Sequence, residues 1–417
     1  MFFKVKGSNY TIPQLDLSVM PENVDEKYRY LYEYSVVDEG MGYLGHPDSV
    51  LLKNGNILTV YPEGHGKGAI LGKISTDGGV TYEKTLNRTP DSWKMSRETP
   101  TIYRLEFTDR EDRLILISGN PRWGLEPTTG GFNCSVSKDE GVTWSEFDLF
   151  YSLKDSYACI PIVSMASLTR LKENGKFVDK WMGLFHDSAF HNYYTILTLD
   201  KNDRPHWTKP KKYFKSYRRI EKKSQMCEVE CVRSMAGWGN EICLITRSNC
   251  KKCNTLLTFS NDEGASWSKP VYAPASLNGE RHKAEYLPDG RLFITFRSIE
   301  RDGDKIAKYS ENKHRSWYSE GWVAWVGTYE DLKEGKEGQY RIKLAHTYLD
   351  EQNEPDVAAN ADTGYCGNVV LPDGTVVTST YGIFSPDLKA ENGKRKTFIA
   401  SKRINVEDTD ELVNKMK

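Results

Sequence analysis

A chain of 417 residues has room for two or three ordinary domains, but repeated all-β architectures run past that size as one unit, so length leaves the domain count open. Lys and Arg number 57 against 58 Asp and Glu, and neither sign is gathered into a long block, which excludes a polyanion surface for nucleic acid or anionic membrane as a partner. Aromatic residues make up 12%, a supply that suits stacking on sugar rings and the packing of many short strands equally.

From Met1 to Met20 there is no apolar run long enough for a signal-peptide core, and nowhere does a stretch approach the roughly 20 apolar residues of a membrane span, so the expected compartment is the cytoplasm. Eight cysteines are too sparse for a disulfide scaffold and fit the same reducing setting. Cys227, Cys231, Cys250 and Cys253 could make a tetrathiolate zinc site, but one pair lies in a strand-like stretch and the other in a turn, so ordinary thiols are the reading adopted, with no metal and no cofactor.

In chain order, residues 1–42 form an extension in which Tyr30 to Val37 has strand composition and is expected to close a ring against the end of the chain. A repeat then begins. Ser75-Thr76-Asp77-Gly78-Gly79-Val80-Thr81-Tyr82 recurs as Ser137-Lys138-Asp139-Glu140-Gly141-Val142-Thr143-Trp144 and as Ser260-Asn261-Asp262-Glu263-Gly264-Ala265-Ser266-Trp267. Tyr82 to Trp144 is 62 residues, and a degenerate copy at Asp200 to Trp207 lies 63 beyond Trp144 and 60 before Trp267. Within the motif the Asp accepts backbone N–H bonds, the Gly takes a positive φ, and the aromatic packs back on the unit, so its role is structural. A second landmark launches an apolar strand once per unit, at Asn54-Gly55, Asn174-Gly175, Asp289-Gly290 and Asp373-Gly374, with looser versions at Thr108 to Arg113 and at Ala236 to Asn240. Six units of about sixty residues over 43–404, four short strands each, make an all-β six-bladed β-propeller. The charged insert Glu300 to Gly321 reads as an exposed loop, and residues 405–417 as a capped terminal helix.

Asp-containing turns of this kind, also called Asp-boxes or BNR repeats, on a six-bladed propeller resemble the sialidase (neuraminidase) superfamily, and the resemblance spans nearly the whole chain. It implies a glycoside hydrolase whose nucleophile is a tyrosine, activated by a carboxylate because a phenol with a pKa near 10 is a poor nucleophile alone. Tyr365, in Asp362-Thr363-Gly364-Tyr365-Cys366-Gly367, resembles that nucleophile, and Glu228, in Cys227-Glu228-Val229-Glu230, resembles its partner. Glu230, two residues on, is expected on the same strand face. Arg247 closes an apolar strand as one arginine of the family's carboxylate clamp does, and Arg281 with His282 opens the next blade as a second source of positive charge.

Two departures matter. Where the family carries its leading arginine this chain has Gly45-His46-Pro47-Asp48, and the loop of the family's acid/base aspartate is Tyr61-Pro62-Glu63-Gly64-His65-Gly66-Lys67. The proton donor is therefore expected among Glu63, His65, His46 and Asp48. Arg97 and Glu98, and His186 and Asp187, lie at strand ends expected on the same face, as substrate-binding groups. The reading is an exo-acting hydrolase for a terminal sugar other than ordinary sialic acid. Two alternatives stay open: a non-catalytic carbohydrate-binding propeller, and a polysaccharide lyase with Tyr365 as base and His46 or His65 as acid. The sequence carries no signal for the oligomeric state.

Overall fold

The computed structural model describes residues 9–120, 130–153, 160–250, 253–300, 319–349 and 361–416. Six sheets of four or five strands, antiparallel except for one added edge strand, follow one another along the chain, and in each the first strand of the unit lies at one sheet edge and later strands follow outward. The innermost strands are Asp48–Leu51, Pro100–Leu105, Pro161–Glu173, Met226–Arg233, Gly279–Tyr286 and Gly367–Val370. This is a six-bladed β-propeller, and each first hairpin turns at the Gly-containing landmark or its looser version. Among the described residues no helix is long and apolar enough to cross a membrane.

A blade is covered on both faces by its neighbours, so its strands are apolar throughout rather than alternating: all six residues of Ile57–Pro62 are buried. The core is accordingly divided among the seams between blades. Leu58 and Leu116 share one seam, Ile117 and Trp181 the next, Leu184 and Leu244 the third, and Ile245 with Ile294 the fourth. Phe293 and Val376 meet in the fifth, and Ile57 with Val377 in the sixth, which completes the ring. Near the axis the packing is tight enough to dictate glycine: a Cβ on Gly367 would stand 2.5 Å from the Ser49 nitrogen of the neighbouring blade.

The last blade is completed by the N-terminal extension, where Ser35–Asp38 pairs antiparallel with Phe398–Ile404. The strand is shorter than the composition of Tyr30 to Val37 suggests, because Arg29–Tyr32 forms a helical turn. An element without a sequence signal is Gln14–Asp16, which adds a parallel fifth strand to the fifth blade. Glu300, taken as the start of an exposed loop, is buried against Arg341 at 3.0 Å, while most of that insert, 301–318, lies outside the described residues. The terminal helix Val406–Lys415 is capped by Asn405.

The repeated Asp residues do sit in the turn between the third and fourth strands of their blades and are exposed. Asp77 accepts from Val80 N at 3.1 Å, from Thr81 N at 2.9 Å, and from the Ser75 and Thr81 hydroxyls. Asp139 and Asp262 repeat the pattern with Thr143 and Ser266. Asp200 of the degenerate copy accepts the Asn202 and Arg204 N–H groups in the equivalent turn.

Along the axis runs a polar channel. Lys283 reaches Asp48 at 3.2 Å, Asp48 also accepts the Ile102 N–H of the second blade, and Glu230 accepts the Ala284 N–H at 3.0 Å. Burial, reinforced by the charges of Glu230 and Asp48 against that of Lys283, pushes the Glu285 carboxyl up to about 7.

Two outcomes follow from this architecture. Replacing Asp77, Asp139 or Asp262 by Ala lowers stability by about 1 kcal/mol in a denaturant titration, the scale of a lost turn or cap bond. Glu285, whose folded pKa lies above its unfolded value, is bound to its proton more tightly in the native state, so its ionisation removes stability as pH rises from about 4.5 through about 7. Glu285→Gln therefore leaves stability unchanged at pH 4 and raises it by roughly 1–2 kcal/mol at pH 8, as read by thermal unfolding at the two pH values.

Candidate active site

At one mouth of the axis lies a cavity of about 400 Å³ lined by His46, His65, Gly66, Lys67, Arg97, Glu98, Thr99, Ile162, Val163, Glu228 and Tyr365. The backbone that presents these groups is unusual. His46, Val163, Glu228 and Arg281, each at or near the start of an innermost strand, have φ of 52°, 47°, 46° and 55°. Strand pairing slips at the same places, between Cys227 and Val229 and between Glu280 and Lys283. A residue in the left-handed region at a bulge is turned out of the two-residue alternation, at a cost of order 1–3 kcal/mol.

That bulge separates the two glutamates expected on one face. Glu228 is turned to the cavity, whereas Glu230 faces Lys283 and Ala284 in the channel. At the cavity floor the Tyr365 hydroxyl donates to Glu228 Oε1 at 2.8 Å. Arg247 Nη1 lies 2.7 Å from both carboxylate oxygens and 3.2 Å from the Tyr365 oxygen, and its Nη2 donates to Asn249 Oδ1 at 2.8 Å. Burial would push the Glu228 carboxyl up, but Arg247 first, and Arg281 in addition, outweigh it and hold it down at about 2. Tyr365 is driven well above its ordinary value by burial and then by the Glu228 charge, so it rests as the protonated phenol.

Around that pair stand more guanidinium groups than the sequence suggested. Arg281 and Arg297 each lie 5.6 Å from the Tyr365 ring centre. Arg281 donates to Ala166 O, Arg297 to Ala361 O, and Glu280 lies between Arg247 at 3.1 Å and Arg297 at 3.5 Å. Arg297 was missed, although the signal existed: Ile294-Thr295-Phe296-Arg297-Ser298 repeats Leu244-Ile245-Thr246-Arg247-Ser248 one blade on.

Of the expected proton donors, two reach the cavity. His46 lines it with its ring edge-on to Tyr365 at 4.4 Å; burial, then His65 and Arg297, push its pKa well below the ordinary value, which makes it a neutral imidazole. His65 lines it too and meets the Tyr43 hydroxyl at 2.7 Å, while Tyr43 donates to Asp362. Glu63 is exposed and lines none of the cavity, because the loop turns its side chain outward between Pro62 and Gly64. Asp48 is held in the channel by Lys283 and two backbone N–H groups.

Glu98, expected only to bind, is the second carboxyl in the cavity wall. Burial raises its pKa and the Glu228 charge adds to that, against hydrogen bonds from the Thr99 N–H and hydroxyl to Oε1, both 3.0 Å. Space for it is made by Gly119, where a Cβ would stand 2.6 Å from that of Glu98. Arg97 lines the cavity beside it. His186, Asp187 and His282 do not. His186 is buried behind Glu228, Asp187 holds the turn through the Ala189 and His191 N–H groups, and His282 is stacked on Phe296 and bonded to Leu277 O.

Glu98 titrates above the ordinary carboxylate range, and Gly119→Ala, by displacing its stem, alters that titration. Carboxyl NMR titration against a Glu98→Gln control reads both, and an ordinary carboxylate value for Glu98 contradicts the burial argument.

No protein-family model matches the chain, and no curated protein matches it in sequence. Solved structures do match in fold. An α-L-arabinofuranosidase of Fusarium graminearum, solved with an iminosugar inhibitor, superposes with a TM-score of 0.55 at 12% identity over 90% of this chain and 98% of that one. An α-L-arabinanase of Penicillium chrysogenum, complexed with arabinobiose, gives 0.56 at 12% identity over 90% and 98%. The NanB sialidase of Streptococcus pneumoniae, as its K499G mutant, gives 0.55 at 10% identity over 90% and 71%. The fold is that of the sialidase-like six-bladed propellers.

Proposed function

We propose that this chain is an exo-acting glycoside hydrolase that removes a terminal sugar, with Tyr365 as nucleophile, Glu228 as the base that receives its proton, and Glu98 as the acid that protonates the leaving oxygen. The observation that carries the reading is the 2.8 Å hydrogen bond from the Tyr365 hydroxyl to Glu228 Oε1 at the floor of a cavity large enough for a sugar ring. Support of a coarser kind comes from the fold neighbours, which include an arabinofuranosidase, an arabinanase and a sialidase.

In the resting pocket the phenol keeps its proton, since burial and the adjacent carboxylate both oppose ionisation. The balance changes as the glycosidic bond stretches. Positive charge on the anomeric carbon stabilises a phenolate beneath it, the Arg247 N–H at 3.2 Å does the same, and the proton passes along the existing hydrogen bond to Glu228. Glu98, whose pKa burial raises, delivers its proton to the departing oxygen and in the second half-reaction takes one from water. The sugar is one other than ordinary sialic acid, because His46, packed on Tyr365, stands where the leading arginine of a carboxylate clamp is expected.

The test is a panel of aryl glycosides that includes pentofuranosides, uronides and α-sialosides, with products identified by mass. Release of a free sugar supports hydrolysis; an unsaturated product or silence across the panel overturns it, and robust sialoside turnover overturns the substrate assignment. On a substrate that is cleaved, Tyr365→Phe abolishes turnover while leaving the protein folded. Glu98→Gln slows hydrolysis by about 10²–10⁴-fold for a poor leaving group and far less for an acidic phenol that needs no proton, the loss expected when a general acid is removed. Equal losses for both leaving groups would reassign Glu98 to binding.

A further inference from the structure

Behind the cavity wall a ring nitrogen of His186, the Sγ of Cys227 and a carboxylate oxygen of Glu228 lie within 4.8 Å of one another, the one such group of potential metal ligands among the described residues. We propose that these three side chains form a binding site for a divalent ion of the zinc class, one that accepts nitrogen, sulfur and oxygen together.

All three donors are held as ligands need to be. His186 Nδ1 lies 2.9 Å from Asp187 O and donates to it, which leaves Nε2 with its lone pair; that atom is buried and meets no hydrogen-bond partner among the described residues. Such a bond from the second ring nitrogen is the usual way a ligating imidazole is oriented. Cys227 carries a buried thiol at the bulge, with the Asn249 backbone N–H turned to its sulfur; burial and then the Glu228 charge hold it as the thiol until an ion takes the place of its proton. Glu228 Oε1 accepts from Arg247 and Tyr365, but among the described residues Oε2 accepts only from Arg247, so a lone pair on Oε2 is left for an ion without breaking either bond. Two strands of adjacent blades, Lys176–Asp187 and Met226–Arg233, supply the set. Imidazole, thiolate and carboxylate with a fourth position left over match the ligand chemistry of zinc rather than of magnesium or calcium.

Binding exchanges the Cys227 S–H bond for a metal–sulfur bond and releases one proton to solvent per ion, with no change of oxidation state. Its consequence rests on the reading of Glu228 as base: an ion on Oε2 draws electron density from the carboxylate, so Glu228 accepts the Tyr365 proton less readily and the ion inhibits. The site itself does not depend on that reading, and binding and turnover are measured separately.

Cadmium is the probe, because its thiolate complex absorbs in the ultraviolet. Cys250 and Cys253, with sulfurs 3.3 Å apart, would compete for it, so titration is made in the full chain carrying Cys250→Ser and Cys253→Ser. The expected result is one cadmium per chain with a thiolate charge-transfer band, displaced by zinc, with one proton released. Cys227→Ser removes the band, and His186→Gln weakens binding by at least the roughly ten- to hundredfold that even an outer-shell partner contributes. A band that vanishes with Cys250 and Cys253, survives Cys227→Ser, or keeps its affinity in His186→Gln overturns the proposal. Should either variant fail to fold, the anomalous cadmium peak in a crystal of the unsubstituted protein decides: it lies between His186 Nε2 and Cys227 Sγ, and a peak only elsewhere overturns the site. Binding without inhibition would leave the site standing and count against Glu228 as base.

Discussion

Glu228 is a carboxylate nearly sealed from solvent, and a charge so placed costs several kcal/mol unless a partner meets it in good geometry. Arg247 meets it with one nitrogen 2.7 Å from each oxygen, and is then itself a buried cation that requires further partners. Asn249 and Glu280 supply them, Glu280 draws in Arg297, and Arg297 reaches Ala361 O beside the segment that carries Tyr365. One buried charge thus links the fourth, fifth and sixth blades at the cavity floor. Removing a single member would leave the others uncompensated, so these side chains act as one unit.

The same linkage explains how the backbone tolerates its strained residues. A regular strand would send Glu228 and Glu230 to one face, and both would then face the channel or both the pocket. The left-handed turn at Glu228 gives the pocket one carboxylate and the channel the other, and the turn at Arg281 similarly breaks the alternation between Glu280 and Lys283. The conformational cost is offset by the ion pairs and hydrogen bonds that the re-aimed side chains then make. Ring closure through six apolar seams supplies the rigidity on which such positions depend.

The pKa values of carboxyls within one propeller mouth and channel are driven in opposite directions by their surroundings alone. Glu228, ringed by arginines, is depressed to about 2; Glu98, buried with no cation in contact through its carboxyl among the described residues, is raised. Glu230 and Glu285, which share one lysine with Asp48, both stand at about 7. A pair of carboxyls pushed apart in this way is the arrangement that acid and base roles require.

The fold was legible in the sequence because its signals are local. An Asp that satisfies its own turn and an Asn-Gly or Asp-Gly that closes a hairpin are written in consecutive residues, and their period near sixty counts the blades without any knowledge of contacts. Tyr365, Glu228 and Arg247 were legible for a related reason, since each opens or closes a strand whose place in the repeat is known, and Arg297 could have been found by the same rule. That Glu63, Asp48, Glu230, His186, Asp187 and His282 do not line the cavity was not legible, because proximity to a motif says nothing about the direction of a side chain. That direction is set by bulges at Glu228 and Arg281, by space left at Gly119, and by charges arriving from other blades. It was decided only in the tertiary structure, where residues 137 apart in sequence, Tyr365 and Glu228, are brought to hydrogen-bonding distance by closure of the ring.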